Sequence, residues 1–321
     1  MLESVFRTVM RSRPGVEAIF TRWREKSQVQ TLTIYSYGDI GLERLLADCP
    51  DFFRQPGCKI IKWERKIKVG HLPLQIGGAT TDVYVKQHCA LSLGHRLGSL
   101  FALSAAMRAL SGATTLLEAG YSTARPIAAV EYRSWGILTK SLYLSEGVSG
   151  AKTVEAFWCE DCVPLKGVEG YRKRRAFLRK LARLFQSLHR QKIYHNDLKA
   201  SNILVVDESA SSAEHFHLID LQGLRRCSYM SWRRRIKNLA QLNRTLGVFM
   251  TTTERLFFLD AYLDFHLPDR KKKKHLVERI LEQSRRQVER EIQRTSVSGE
   301  SSQTLQIEMD RRCITRVVGP D

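Results

Sequence analysis

The hydrophobic pattern changes period at Ser145-Glu146-Gly147-Val148-Ser149-Gly150, a turn-rich break between strand-like and helix-like sequence. Upstream the apolar residues alternate. KIIKWERKIKV from Lys59 and LPLQI from Leu72 read as strands, Gly77 and Gly78 begin a turn, and Asp82–Gln87 (DVYVKQ) reads as the next strand. A long helix ends near Glu118, closed by Gly120, and strands follow around Ile127–Tyr132 and Gly136–Leu144. Downstream, Phe177, Leu181, Leu184 and Leu188 recur at three- and four-residue steps, with Arg174, Arg175, Arg179 and Arg183 elsewhere on the wheel, the signature of an amphipathic helix. A chain that alternates first and runs helical afterwards predicts an α+β protein in two parts, with residues 51–144 as a small lobe, 145–150 as a hinge and 151–294 as a helical large lobe. Residues 1–50 read as an N-terminal extension in which Thr31–Tyr37 alternates like a short strand, and residues 295–321 as a Ser-rich disordered tail.

Of 321 residues, 43% are hydrophobic and 26% charged, which excludes wholesale disorder and collagen-like sequence and leaves room for about two domains. Lys and Arg number 52 against 33 Asp and Glu, a net charge of +19 that favours phosphate-bearing partners: nucleotides, nucleic acid or an anionic membrane face. Seven scattered cysteines suit a reducing compartment, and Met1–Arg13 lacks an uninterrupted apolar run, so the expected location is the cytoplasm. Leu97–Leu117 is long enough to span a bilayer, but Arg108 sits at its centre and many neighbours are Ser, Thr or Gly; a water-soluble helix is expected.

The chemistry concentrates in Ile193–Val206 (IYHNDLKASNILVV), where two apolar runs bracket a polar loop holding His195, Asp197, Lys199 and Asn202. Phosphoryl transfer needs a carboxylate to orient an attacking hydroxyl, a cation beside the phosphate and oxygen ligands for Mg²⁺, and this loop offers all three. Downstream, HLIDLQG places Asp220 after an apolar run, where a second Mg²⁺ ligand would come off a hairpin strand. In DVYVKQ, alternation puts Tyr84 and Lys86 on one face and Val83 and Val85 on the other; a strand lysine facing into a cleft could bind α and β phosphates.

VYVK, HNDLKASNIL and LIDLQG together resemble the protein-kinase-like superfamily, and specifically the bacterial lipopolysaccharide core kinases, which phosphorylate Kdo or heptose of the inner core. Ser104–Ala128, with Gly120, Thr123 and Pro126 in order, and Phe257–Leu263 are similar to that family as well; the likeness spans roughly residues 50–290. It implies a bilobal kinase fold, with a small antiparallel-sheet lobe carrying one long helix. It further implies that Asp197 is the catalytic carboxylate and Lys199 steadies the γ-phosphate, while Asn202 and Asp220 hold Mg²⁺. Lys86 would contact the ATP phosphates, Leu144, Ser145, Glu146 and Gly147 would form the hinge against adenine, and His195 would brace the loop. The implied partners are ATP, Mg²⁺ and a core glycolipid acceptor. The chain departs from protein kinases in having only Glu118 on the helix that should pair Lys86, Asn196 where many have Arg, and Leu221-Gln222 after Asp220. Control by activation-loop phosphorylation is therefore not expected.

Cys159 and Cys162 have redox or zinc spacing, but no second Cys-x-x-Cys accompanies them, and buried thiols are expected. Lys271–Lys274 and the arginines at 172, 174, 175, 233, 234 and 235 read as solvated faces that in sum could hold the protein peripherally to the anionic cytoplasmic leaflet of the inner membrane; nucleic acid is not an expected partner. Two alternatives stand beside the sugar kinase: a protein kinase or aminoglycoside-type phosphotransferase, and an inactive kinase-like scaffold binding lipid or nucleic acid.

Overall fold

The computed structural model describes residues 21–26, 30–36, 46, 52–76, 78–89, 103–208, 213–264 and 269–298. The chain divides into two compact units, Met1–Met107 with Pro126–Gly147, and Arg108–Arg125 with Val148–Asp321.

The first unit is built on seven antiparallel strands: β1 (Thr21–Lys26), β2 (Gln30–Ser36), β3 (Lys59–Trp63), β4 (Ile67–Ile76), β5 (Ala79–Cys89), and then, later in the chain, β7 (Pro126–Ser134) and β8 (Ile137–Glu146). Their order in the sheet is β1-β2-β7-β8-β5-β4-β3. Residues 21–26 and 30–36, within the expected extension, supply two strands of the sheet, the second overlapping the strand read from Thr31: β2 pairs with β7 from Gln30↔Ser134 to Ser36↔Ala128. Nothing local in the sequence announces a partner a hundred positions away. The expected single strand from Lys59 is a hairpin, because the charged Glu64-Arg65-Lys66 triplet favours water and Glu64 N–H donates to Ile67 O at 2.9 Å, turning the chain. At the next turn Ile76 pairs with Ala79 and Gly78 takes φ +83°, open to glycine and costly for other residues; Gly77 lies outside the described residues. Alternation along β5 buries Val83, Val85 and Gln87 and turns Tyr84 and Lys86 outward from that core. Leu72, Ile127, Val130, Leu142 and Leu144 complete the sheet's apolar face with Phe52 and Phe53.

Between β5 and β7 run helix α1 (Ala105–Glu118) and the short strand β6 (Ser122–Thr123). The helix straddles the division: Ala105–Met107 count with the first unit, and from Arg108 onward it belongs to the second, where Ala113 and Leu116 join the core. It stops at Gly120 (φ +80°), where Gly120 N–H donates to Leu117 O and Tyr121 N–H to Leu116 O, the paired bonds of a Schellman cap. Residues 97–102 of the apolar stretch lie outside the described residues, and no described helix is long and apolar enough to cross a membrane.

The second unit continues with β9 (Lys152–Thr153), α2 (Val154–Phe157), α3 (Gly167–Arg190), β10 (Ile193–His195), β11 (Ile203–Glu208), β12 (Ala213–Leu218), β13 (Leu224–Arg226), α4 (Trp232–Thr245), α5 (Thr252–Tyr262) and α6 (Arg270–Ser298). Trp158–Cys162 forms a π-helical turn that buries Trp158 and Cys162; Cys159 is half-buried, and neither cysteine is in a disulfide. On α3 the buried stripe is Phe177, Leu178, Leu181, Ala182, Phe185 and Leu188, with Leu184 only packed against its rim. Each fully buried Leu or Phe in this stripe contributes about 1.5–3 kcal/mol. A capping box starts α5: Thr251 accepts from Glu254 N–H, and Glu254 accepts from Thr251 N–H. Glu254 also ion-pairs with Arg174 at 2.9 Å, and Arg175 lies 3.8 Å over Phe257, so these two arginines brace α3 to α5 rather than form a solvated face. The charged C-terminal helix runs past Arg294 to Ser298, while residues 299–321 lie outside the described residues.

Candidate active site

Two antiparallel pairings in the second unit set the geometry. β10 pairs with β13, ending at His195↔Leu224, and β11 pairs with β12, ending at Ile203↔Leu218. The loops that leave them, Asn196–Asn202 and Ile219–Gly223, are stitched face to face: Asn196 N–H donates to Gly223 O and Ile219 N–H to Asn202 O, both at 3.0 Å. A Cβ on Gly223 would fall 2.8 Å from that of Asn196, so only glycine permits the approach. On the far side, Gly112 of α1 packs so closely that a Cβ would meet Leu221 O at 2.5 Å, locking the turn after Asp220.

Asp197 sits where the loops meet. Asn202, 7% exposed, donates from Nδ2 to the Asp197 carbonyl at 2.8 Å and to its carboxylate Oδ2 at 3.1 Å; Lys199 Nζ is 3.3 Å from the same oxygen. Oδ1 of Asp197 is left without a partner among the described residues, on a side chain 44% exposed. Because Nδ2 of Asn202 makes both bonds, its Oδ1 remains a free oxygen donor in kind. Asp220 holds φ 60°, ψ 50°, a left-handed conformation that costs a non-glycine residue about 1–3 kcal/mol and is retained where surrounding structure imposes it. Asn202 and Asp220 are hard oxygen donors, and Mg²⁺ uses one or two such protein ligands together with substrate phosphates, so the residues present fit that ion.

His195 is a strut. It is 2% exposed, accepts from Asp197 N–H at Nδ1 (3.1 Å), and lies with Nε2 3.1 Å from Ile219 O, the arrangement of a neutral ring protonated on Nε2. Burial pushes its pKa down, outweighing the pull of Asp220 and Asp197. The ring thereby ties both loops together through uncharged hydrogen bonds.

Residues invisible to motif reading hold the loop from behind. On α4, Asn238 donates to His195 O at 2.7 Å, Gln241 donates to Asn196 O at 2.7 Å and accepts from Leu198 N–H at 3.1 Å, and Thr245 accepts from Ala200 N–H at 3.0 Å. Spaced three and then four apart, they lie on one stripe of the helix with Leu242, and Asn238 is fully buried. Amides standing on an otherwise apolar stripe were the available signal. Replacing Asn238 by Leu leaves the His195 carbonyl unpaired, with a cost of about 1–3 kcal/mol per orphaned group. The expected result is a lower urea midpoint and a fall in turnover.

The network continues to His189, whose Nε2 faces Asn238 Oδ1 at 3.1 Å and whose Nδ1 faces Tyr262 OH at 2.8 Å. Asn238 Nδ2 is committed as a donor elsewhere, so His189 donates from Nε2 and accepts at Nδ1. Burial lowers its pKa from 6.5 to about 4. The neutral form is thus the one the fold favours: its stabilisation is complete above pH 6.5 and is lost as pH falls toward 4, by about 3 kcal/mol. Urea midpoints measured at pH 7 and pH 5 should fall with acid, and His189→Gln should flatten the decline; an unchanged slope would refute the assignment.

In the first unit, Lys86 on β5 is half-buried and pairs in register with Val69 of β4 and Tyr143 of β8. The segment read as a hinge begins as strand: Leu144, Ser145 and Glu146 pair with Val85, Tyr84 and Val83, and Gly147 N–H closes on Asp82 O at 2.8 Å. The ladder extends because both edges of β8 find partners, and the turn-rich sequence starts at Gly147. Lys86 and Leu144–Glu146 therefore lie on adjoining strands, with Gly147 just past the end of β8. Glu118 is exposed at the end of α1.

An antiparallel-sheet unit followed by a helical unit that presents two stitched, Asp-bearing loops defines the protein-kinase-like fold. WaaP, solved in complex with acyl carrier protein, is similar over 79% of this chain and 98% of its own, with a TM-score of 0.55 and 22% identity, a likeness of fold. Residues 84–262, more than half of the chain, match the lipopolysaccharide kinase (Kdo/WaaP) family, and the chain belongs to that family of phosphotransferases. No curated protein sequence matches it.

Proposed function

We propose that this protein transfers the γ-phosphoryl group of ATP to a hydroxyl of a Kdo or heptose sugar in the lipopolysaccharide inner core. The observation that carries the reading is the split commitment of Asp197: Oδ2 is occupied by Asn202 and Lys199, while the exposed Oδ1 is left to accept a proton from an incoming hydroxyl. Lys199, beside that carboxylate, offsets charge on the transferred phosphate. Lys86 supplies the cation for the remaining ATP phosphates, and the strand end Leu144–Gly147 offers backbone groups to adenine. Asn202 and Asp220 would hold Mg²⁺, which when bound neutralises charge on the β- and γ-oxygens. The same reading places the protein peripherally on the cytoplasmic face of the inner membrane, supported by exposed Lys271, Lys272 and Lys274. Binding to anionic vesicles should then weaken in about 0.5 M salt.

The test of function is incubation of the purified protein with γ-labelled ATP and truncated core glycolipids, with the label located by mass spectrometry. Phosphate on an inner-core sugar is the expected result; label on protein alone, or on no glycolipid, would overturn the reading.

A further inference from the structure

Helices α4 and α6 and strand β10 line an open cavity of about 360 Å³ that is strongly basic. Arg233, Arg234 and Lys237 reach it from α4 and Arg279 from α6. Among the described residues none of these four pairs with a carboxylate; Arg286, also on the wall, is bound to Glu282 at 2.5 Å. Four uncompensated cations around one concavity repel one another, and an anion from outside relieves that repulsion. Two of the cations are also held in place: the Tyr194 ring lies under Arg234 (5.8 Å) and Lys237 (5.9 Å), and Arg234 donates to Tyr229 O at 2.6 Å. A guanidinium fixed in this way, as that of Arg234 is, matches the paired oxygens of phosphate or carboxylate.

Two of the residues that line the cavity bond to the loop that carries Asp197. Lys237 Nζ donates to Asn196 Oδ1 at 2.8 Å, Tyr194 OH donates to the same oxygen at 3.4 Å, and Asn196 directly precedes Asp197. From this placement, and resting on the sugar-kinase reading above, we infer that the pocket is an acceptor subsite, which takes a phosphate or carboxylate group carried by the glycan and so presents a neighbouring hydroxyl to Asp197. An anchor at one end of the acceptor lowers the entropic cost of aligning the other.

The probe is an acyl-free core oligosaccharide retaining its phosphates and acid sugars, used with the full chain and the single variants Arg279→Glu and Arg233→Glu, both exposed positions whose change is compatible with folding. Losing a charge-assisted contact should raise the acceptor KM at least about tenfold, with the KM for ATP within about twofold of the parent. Arg285→Glu, on the same helix outside the pocket, should leave both constants alone. Unchanged acceptor KM in both pocket variants would overturn the inference. So would a rise in the KM for ATP alone, which would assign the cluster to nucleotide, or weaker binding only of acylated acceptor in vesicles, which would assign it to lipid headgroups. If the parent protein phosphorylates no core oligosaccharide, the function reading falls. Calorimetry with the oligosaccharide alone then decides the subsite: affinity lost in Arg279→Glu supports it, and equal affinity or no binding at all refutes it.

Discussion

Asp197→Asn is expected to keep the fold and the affinity for ATP while lowering turnover by about 10²- to 10⁴-fold, the usual contribution of a positioned general base. The fold survives because Asn202 still donates to the backbone carbonyl of residue 197, and the lost ion pair with Lys199, between side chains one-third and nearly one-half exposed, contributes at most about 1 kcal/mol. What disappears is the basic oxygen that Asn202 and Lys199 leave open. Single-turnover measurements at saturating ATP would show the chemical step slowed; a variant with the parent rate would remove Asp197 from the mechanism.

Asp220→Asn should be nearly as damaging, for a different reason. Asn tolerates the left-handed conformation at φ 60° better than most residues, so the turn before Leu221 should persist and stability should hold or rise slightly. The charge that would hold Mg²⁺ is gone, and a loss of several kcal/mol of charge stabilisation corresponds to about a hundredfold or more in turnover. The telling measurement is the Mg²⁺ concentration for half-maximal rate, which should climb in Asp220→Asn and stay put in Asp197→Asn. A variant with unaltered Mg²⁺ dependence would mean that Asp220 serves the turn and not the ion.

Much of the candidate site was legible because its residues are close in sequence. Asp197, Lys199 and Asn202 share one loop, and the apolar runs on either side announce that it lies between strands. Asp220 was legible for the same reason, as the first polar residue after an apolar run. The amides of Asn238 and Gln241 were not, since a polar residue on a helix stripe acquires meaning only when the backbone it satisfies is known. Arg174 and Arg175 misled for the converse reason: on a helical wheel they face away from the apolar stripe, but Glu254 and Phe257 arrive there from α5.

Periodicity and short-range spacing by themselves determined that a strand-rich segment precedes a helix-rich one, that Gly120 ends α1, and that a carboxylate, a lysine and an amide gather in the loop after β10. These depend on neighbours within a few residues, where side-chain size, charge and backbone preference act directly. The tertiary structure alone decided that residues 21–26 and 30–36 join the sheet, that α4 supports the loop after β10 through buried amides, and that cations from α4 and α6 line one cavity. Each of these is a meeting of segments far apart along the chain, and its energy comes from contacts that exist only once both have folded.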